Sequence, residues 1–192
     1  MISILKSSSK VACIFSLLML CSCSTKGGRS HYVLTATGPA PSYSGLGLGI
    51  GPVSLAPYLL ERPSLVFQSS ANKLEFSEDH LWAGELEGDF ARVLATNLGR
   101  RMGTGNVKTY PWVKEGELDY QITVDVIRFH GTPDGETVLE ANWRAYRLPA
   151  GNLVASRNST VRDDLQADGF EELAASQSRL IDLLAEVISE EL

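Results

Sequence analysis

The chain has 192 residues, 44% of them hydrophobic and 21% charged, with 17 Lys and Arg against 23 Asp and Glu. That length suits one domain with its own core, and the acidic surplus repels phosphate backbones and anionic lipid heads, which argues against a nucleic-acid partner. Cys13, Cys21 and Cys23 are the three cysteines, all near the N-terminus, so the body of the chain offers neither a disulfide nor a thiolate metal site.

Lys6 and Lys10 precede the apolar run Val11 to Leu20, the layout of a secretory signal peptide. The run is about half the roughly 20 residues that a spanning helix needs. It ends in Leu20-Cys21-Ser22-Cys23, which matches the bacterial lipobox, in which the last Cys becomes the lipidated first residue. Ordinary signal cleavage nearby would instead leave Cys23 as a free thiol or remove it; the Leu three places upstream and the adjacent Ser favour lipidation. Ser24 replaces the Asp that often retains lipoproteins in the inner membrane, which points to the outer membrane and a domain facing the periplasm. Residues 1–22 therefore read as a lipoprotein signal peptide, 23–30 as a flexible tether and 31–192 as the domain. Cleavage removes two basic residues and no acidic one, taking the formal charge from −6 to −8.

His31 to Thr37 reads as a strand, followed by a connection containing Pro39 and Pro41. Leu46, Leu48 and Ile50 then alternate with Gly47, Gly49 and Gly51, a strand whose glycine face accepts another backbone or a large side chain at close range. Leu65 to Ser69 and Lys73 to Phe76 form a hairpin around Ser70-Ala71-Asn72. Leu86, Phe90, Val93, Leu94, Leu98 and Met102 recur at helical spacing over 85–102, with acids early, arginines late and Gly103 as a stop. Val107 to Trp112 reads as a strand ended by Pro111. Tyr120, Ile122, Val124 and Val126 mark a half-buried strand, and Val138 to Leu148 and Leu153 to Val161 complete an antiparallel meander. Asp168-Gly169 opens a last helix with Phe170, Leu173, Gln177, Leu180, Leu184, Val187 and Ile188 inward. The expected fold is α/β: a single compact domain, its mixed sheet containing the meander and two main amphipathic helices packed on it. A crossover through the first helix would make its flanking strands parallel.

The sequence gives little sign of catalysis. No Gly-x-Ser-x-Gly elbow occurs, His31, His80 and His130 lack metal-ligand spacing, and the alternating glycines run into Pro52 and a strand instead of a phosphate-binding helix. Neighbouring acids such as Asp163-Asp164 point apart and read as solvated ends. No catalytic residue, metal or cofactor is assigned beyond the covalent lipid on Cys23. Tyr58, Leu59 and Trp82, aromatic and apolar groups in connecting segments, are the candidates for partner contact, with folding back into the core as their ordinary alternative.

Taken in order, Gly49-Ile50-Gly51-Pro52-Val53, Pro57-Tyr58-Leu59, Arg62-Pro63, Leu81-Trp82-Ala83, Leu86, Phe90, Asn97-Leu98 and Arg101 are followed by Val124, Val126, Phe129-His130-Gly131, Asp134-Gly135, Trp143, Asp168-Gly169-Phe170 and Gln177. In this arrangement the chain resembles the ABC-type transport auxiliary lipoproteins and, within them, the paraquat-inducible protein C (PqiC) group. The resemblance implies a non-enzymatic subunit of a lipid transport system. It would work with a mammalian-cell-entry (MCE) domain protein and an integral membrane partner, support envelope integrity, and form a homo-oligomer as some relatives do. A stand-alone lipoprotein holding a lipid or small apolar ligand between sheet and helices is the alternative.

Several acyl chains at about 0.8 kcal/mol per buried methylene make a durable anchor where one chain would not. Cys23→Ala is expected to leave the fold intact and to move the protein out of the membrane fraction. Recovery of the variant in the outer membrane after fractionation would exclude the lipid-anchor reading.

Overall fold

The computed structural model describes residues 28–36, 38–39, 45–113 and 117–192; the lipobox, Cys23 and most of the tether lie outside them. Eight strands form one mixed sheet that does not close into a barrel, and two long helices pack on it. In chain order the elements are β1 (Ser30–Tyr32), β2 (Leu48–Leu55), the short helix α1 (Pro57–Leu60), β3 (Ser64–Ser70), β4 (Lys73–Trp82) and α2 (Leu86–Arg101). They continue with β5 (Val107–Thr109), β6 (Tyr120–Gly131), β7 (Glu136–Arg147), β8 (Asn152–Asp164) and α3 (Phe170–Ser189).

The sheet is organised around β6. One of its edges is filled by β7, antiparallel from Tyr120 to Gly131, and β8 follows antiparallel to β7, which gives the expected meander. The other edge is shared. Its first half pairs in parallel with β2, and its end, at Gly131, pairs in parallel with Phe67 of β3. The sheet thus forks: β5 lies outside β2, while β4 and then β1 lie outside β3.

At the fork a backbone donor and acceptor of β6 would be left without strand partners, a cost the fold avoids with α1. The Ala56 amide donates to the Val126 carbonyl at 2.9 Å, and the Phe129 amide donates to the Tyr58 hydroxyl at 3.2 Å. Pro57 starts the turn where its missing N–H is harmless. This four-residue helix is too short to leave a periodic signal in the sequence.

Both long helices appear where their spacing predicts. Glu87 and Asp89 occupy the first turn of α2 and Arg100 and Arg101 its last, matching the helix dipole. Its buried side contains Phe90, Val93, Leu94 and Leu98, and α3 contributes Leu173, Leu180, Ile181, Leu184 and Ile188. The helices contact each other; α2 also rests on β2 and β5, and α3 on β6, β7 and β8. At the centre Phe90 meets Phe129 edge to face, with ring centroids 5.5 Å apart. Each large side chain so buried contributes about 1.5–3 kcal/mol as an upper bound.

Four expectations change. The hairpin strand predicted over 73–76 runs on to Trp82, which therefore ends a strand and does not lie in a connecting segment. The strand predicted over 31–37 is only Ser30–Tyr32, after which Leu34 leaves the sheet and is buried in the core. The strand predicted over 107–112 stops at Thr109. The strands flanking α2, β4 and β5, run in opposite directions on different arms of the fork, because the β3–β4 hairpin has already reversed the chain before the helix begins.

The glycine face of β2 is used as its alternation suggests. Trp112 and Leu118 lie over Gly49, Tyr110 lies against Gly51, and the backbone of Glu117 and Leu118 crosses Gly47. Gly47 also accepts from the Asp119 and Tyr120 amides at 2.8 and 3.1 Å, and its own amide donates to Asp119 Oδ2 at 2.7 Å.

Gly47→Ala would drive a methyl into the Glu117 carbonyl, a backbone atom that cannot swing aside. It is expected to cost about 1–3 kcal/mol in urea denaturation, more than Gly49→Ala, whose added methyl meets movable side-chain ends; the reverse order would refute this account of the strand. Tyr58→Phe, which strips the Phe129 amide of its acceptor, is expected to cost about 1–2 kcal/mol. Unchanged stability would mean that Tyr58 does not bridge the fork.

Candidate functional site

The three residues singled out for partner contact fall close together in the chain's packing but present little of themselves to solvent. Leu59 is 4% exposed and Trp82, the last residue of β4, is 5% exposed; both belong to the core. Trp82 also donates its amide to the Pro63 carbonyl at 2.6 Å, tying the end of β4 to the chain just after α1. Tyr58 is half-buried, and its ring lies 6.3 Å from that of the buried His130. Burial raises the Tyr58 phenol above its ordinary value, against the Phe129 hydrogen bond, and burial lowers the His130 imidazole. Both groups are thereby held neutral. In this conformation Leu59 and Trp82 serve the core, and Tyr58 serves the fork through its bond to Phe129.

What the turn offers outward is a cleft of about 370 Å³, open to solvent, between α1 and the start of α2. Leu59 contributes to its lining with Leu60, Arg62, Pro63 and Gly84 to Glu87. Leu60 is 52% exposed. The Arg62 guanidinium sits over the Phe76 ring, 5.2 Å from its centroid, an arrangement that restrains it while leaving its charge at the surface. Glu85 and Glu87 supply the opposing charge at the N-terminal end of α2. The cleft thus sets an exposed leucine beside a positioned cation and two carboxylates; no Ser, Thr, Cys, His or Lys is part of its lining.

A second exposed apolar group was not foreseen. After β5, Tyr110 and Val113 are 57% and 98% exposed, and Pro111, Trp112 and Val113 border a groove of about 380 Å³ with Lys108 and Thr109. Tyr110 and Trp112 pack edge to face at 5.5 Å. The sequence carried a clue in the run Tyr110-Pro111-Trp112-Val113, where a proline interrupts what otherwise reads as strand.

Ser176, in the first half of α3, is a serine bonded closely to an acid. It donates to Asp163 at 2.5 Å and shares a 2.5 Å bond with Thr137, while Arg179 holds Asp163 at 2.8 Å and Glu172 at 2.6 Å. The Arg179 hydrogen bond keeps the Glu172 carboxyl below the usual carboxylate range. The cluster clamps α3 to the ends of β7 and β8, and no histidine takes part in these bonds. No group of three or more potential ligands that could hold a metal occurs among the described residues.

Comparison with curated proteins returned no match. Among solved structures, an uncharacterized protein superposes with a TM-score of 0.72 at 21% identity, covering 85% of this chain and 98% of its own. A Xanthomonas campestris protein of the family DUF330 gives 0.65 at 18% identity, with 83% and 93% covered. The PelC dodecamer from Paraburkholderia phytofirmans lies further off, at 0.45 and 19% identity, with 81% and 94% covered. The first two establish a shared fold. The family model for the ABC-type transport auxiliary lipoprotein component matches residues 32–189, from the end of β1 to the end of α3. With the forked sheet from the last residue of β1 onward and both packed helices inside that match, the chain belongs to the ABC-type transport auxiliary lipoprotein family, a membrane-anchored, envelope-associated class that assists transport systems.

Proposed function

We propose that the protein is a non-enzymatic, outer-membrane-anchored lipoprotein of a PqiABC-like system that moves lipid between membranes. In this reading Cys23 carries the lipid and the domain faces the periplasm. The domain binds an MCE-domain protein, which works with an integral membrane partner, and so supports envelope integrity. Several copies would act together as a homo-oligomer. The observation that carries the proposal is the family match across the domain, read with the lipobox immediately upstream.

The α1–α2 cleft is the surface we assign to that partner. Its apolar centre at Leu60 with a flanking cation and carboxylates suits a protein contact better than an acidic lipid surface, which the net charge of −6 would repel. The alternative, a stand-alone carrier of an apolar ligand between sheet and helices, meets an obstacle in the packing. Leu94, Leu98, Ile122, Leu180 and Leu184 are all fully buried there, so such a ligand would have to displace core side chains.

Affinity purification of the full-length protein from detergent-solubilised membranes is expected to bring down the MCE-domain partner. Leu60→Glu with Arg62→Glu should reduce recovery at least about tenfold, the scale of a 1.4 kcal/mol loss, while Leu153→Glu on exposed β8 should not. If the wild type recovers no MCE-domain protein, the assignment to such a system falls; if the wild type does and the cleft variant retains full recovery, the cleft is the wrong surface.

A further inference from the structure

The helical layer holds a polar pocket that neither the fork nor the partner cleft uses. It lies on the seam of α2 and α3, has a volume of about 200 Å³, and is lined by Thr35, Asn97, Ala175, Ser178, Arg179 and Asp182. Most of its polar atoms are engaged. Ser178 Oγ accepts from the Thr35 amide at 3.1 Å and donates to the Ala174 carbonyl at 2.9 Å. Asp182 accepts from Arg101 Nε and Nη2 at 3.2 and 2.7 Å, and Arg179 donates through Nε and Nη2 to Asp163 and Glu172.

Asn97 is the exception. It is 2% exposed, it lines the pocket, and its side-chain Nδ2 has no hydrogen-bond partner. A buried amide donor without an acceptor destabilises a fold unless something mobile satisfies it. The pocket is large enough for several waters or a small solute. Neighbouring positions on the same side of α2 are Val93, Leu94 and Leu98, so an apolar residue at 97 would have joined the core without that penalty.

The rim adds a charge pattern. Arg179 and Asp182 stand three residues apart on α3, both partly exposed. The bonds of Arg179 leave Nη1 for a further acceptor, and the Asp182 carboxyl has acceptor capacity beyond its two bonds to Arg101. A donor inside with a cation and an anion at the mouth match a ligand that is itself both anionic and cationic. We propose that the seam pocket binds a small zwitterion, its anionic group at Asn97 Nδ2 and Arg179 Nη1 and its ammonium at Asp182. The volume admits a head of a few heavy atoms and excludes an acyl chain. A free amino acid and the head group of a zwitterionic lipid share this chemistry. The inference does not rest on the MCE partner.

Thermal unfolding and calorimetric titration of the full-length protein in detergent test it. The probes are glycine and phosphoethanolamine as zwitterions, acetate and inorganic phosphate as anions, and ethanolamine as the cation. At least one zwitterion is expected to bind and raise the Tm by mass action, at least about tenfold more tightly than any single-charge probe. Preference for phosphoethanolamine would point to a lipid head group, and preference for glycine to a free amino acid. Asn97→Leu, which removes the orphan donor at similar volume, should raise the unliganded Tm and weaken zwitterion binding at least about tenfold. Should Asn97→Leu fail to fold, the selectivity of the wild type still decides. Equal response to acetate, no response to either zwitterion, or undiminished binding in folded Asn97→Leu would each overturn the proposal.

Discussion

The free edge of β6 is the constraint on which the rest of the structure depends. Two consecutive strands must share it, β2 toward its start and β3 toward its end, and both must run parallel to it. Parallel neighbours normally require a long crossover. Here β2 and β3 lie end to end along one partner, so a single short turn suffices, provided that the backbone groups exposed between them are satisfied. The Ala56 amide and the Tyr58 hydroxyl meet that condition. Each arm of the fork then carries its own outer strands, and α2 must span from one arm to the other.

This division explains what could be read from the sequence. The helices and the β6–β7–β8 meander rest on local periodicity, and Phe90, Val93, Leu94 and Leu98 or Tyr120, Ile122, Val124 and Val126 announce their buried faces directly. The glycine alternation of β2 likewise signalled close approach, though not that Trp112, Tyr110 and the 117–118 backbone would supply it. The fork was illegible because it depends on pairings between residues more than 60 positions apart, such as Phe67 with Gly131. Trp82 looked like part of a loop because Ala83-Gly84 follows it, yet β4 extends to reach it and β1 covers its edge. The cleft was visible only as a neighbourhood: of Tyr58, Leu59 and Trp82 only Leu59 lines it, while the exposed Leu60 and Arg62 have no distinguishing pattern. Asn97 was hidden for a different reason, since an unpaired amide is a property of packing and not of sequence.

The acidic composition is handled by distributing cations at joints. Arg179 draws Asp163 and Glu172 together where α3 meets β8, Arg101 joins the end of α2 to Asp182 and Glu186 of α3, and Arg157 ties β8 to Glu191. Such exposed pairs are each worth little in stability, about 0–1 kcal/mol. Their placement matters more: apart from Arg179 with Glu172, which lies within α3, each joins α3 or its end to another element. That leaves the apolar core as the main source of stability and the ion pairs as alignment.

Alignment matters because of how the chain enters the domain. Coming from the anchor side, residues 30–32 add a strand beside β4, and Leu34 is then buried while the Thr35 amide bonds Ser178 on α3 and Arg92 of α2 holds the Leu34 carbonyl at 3.3 Å. The entering segment is thus fastened to both helices within a few residues of β1. The same fastening forms one wall of the Asn97 pocket through Thr35. Thr35 thus belongs both to the pocket lining and to the contacts that fasten the entering segment, so displacing that segment would open one wall of the pocket.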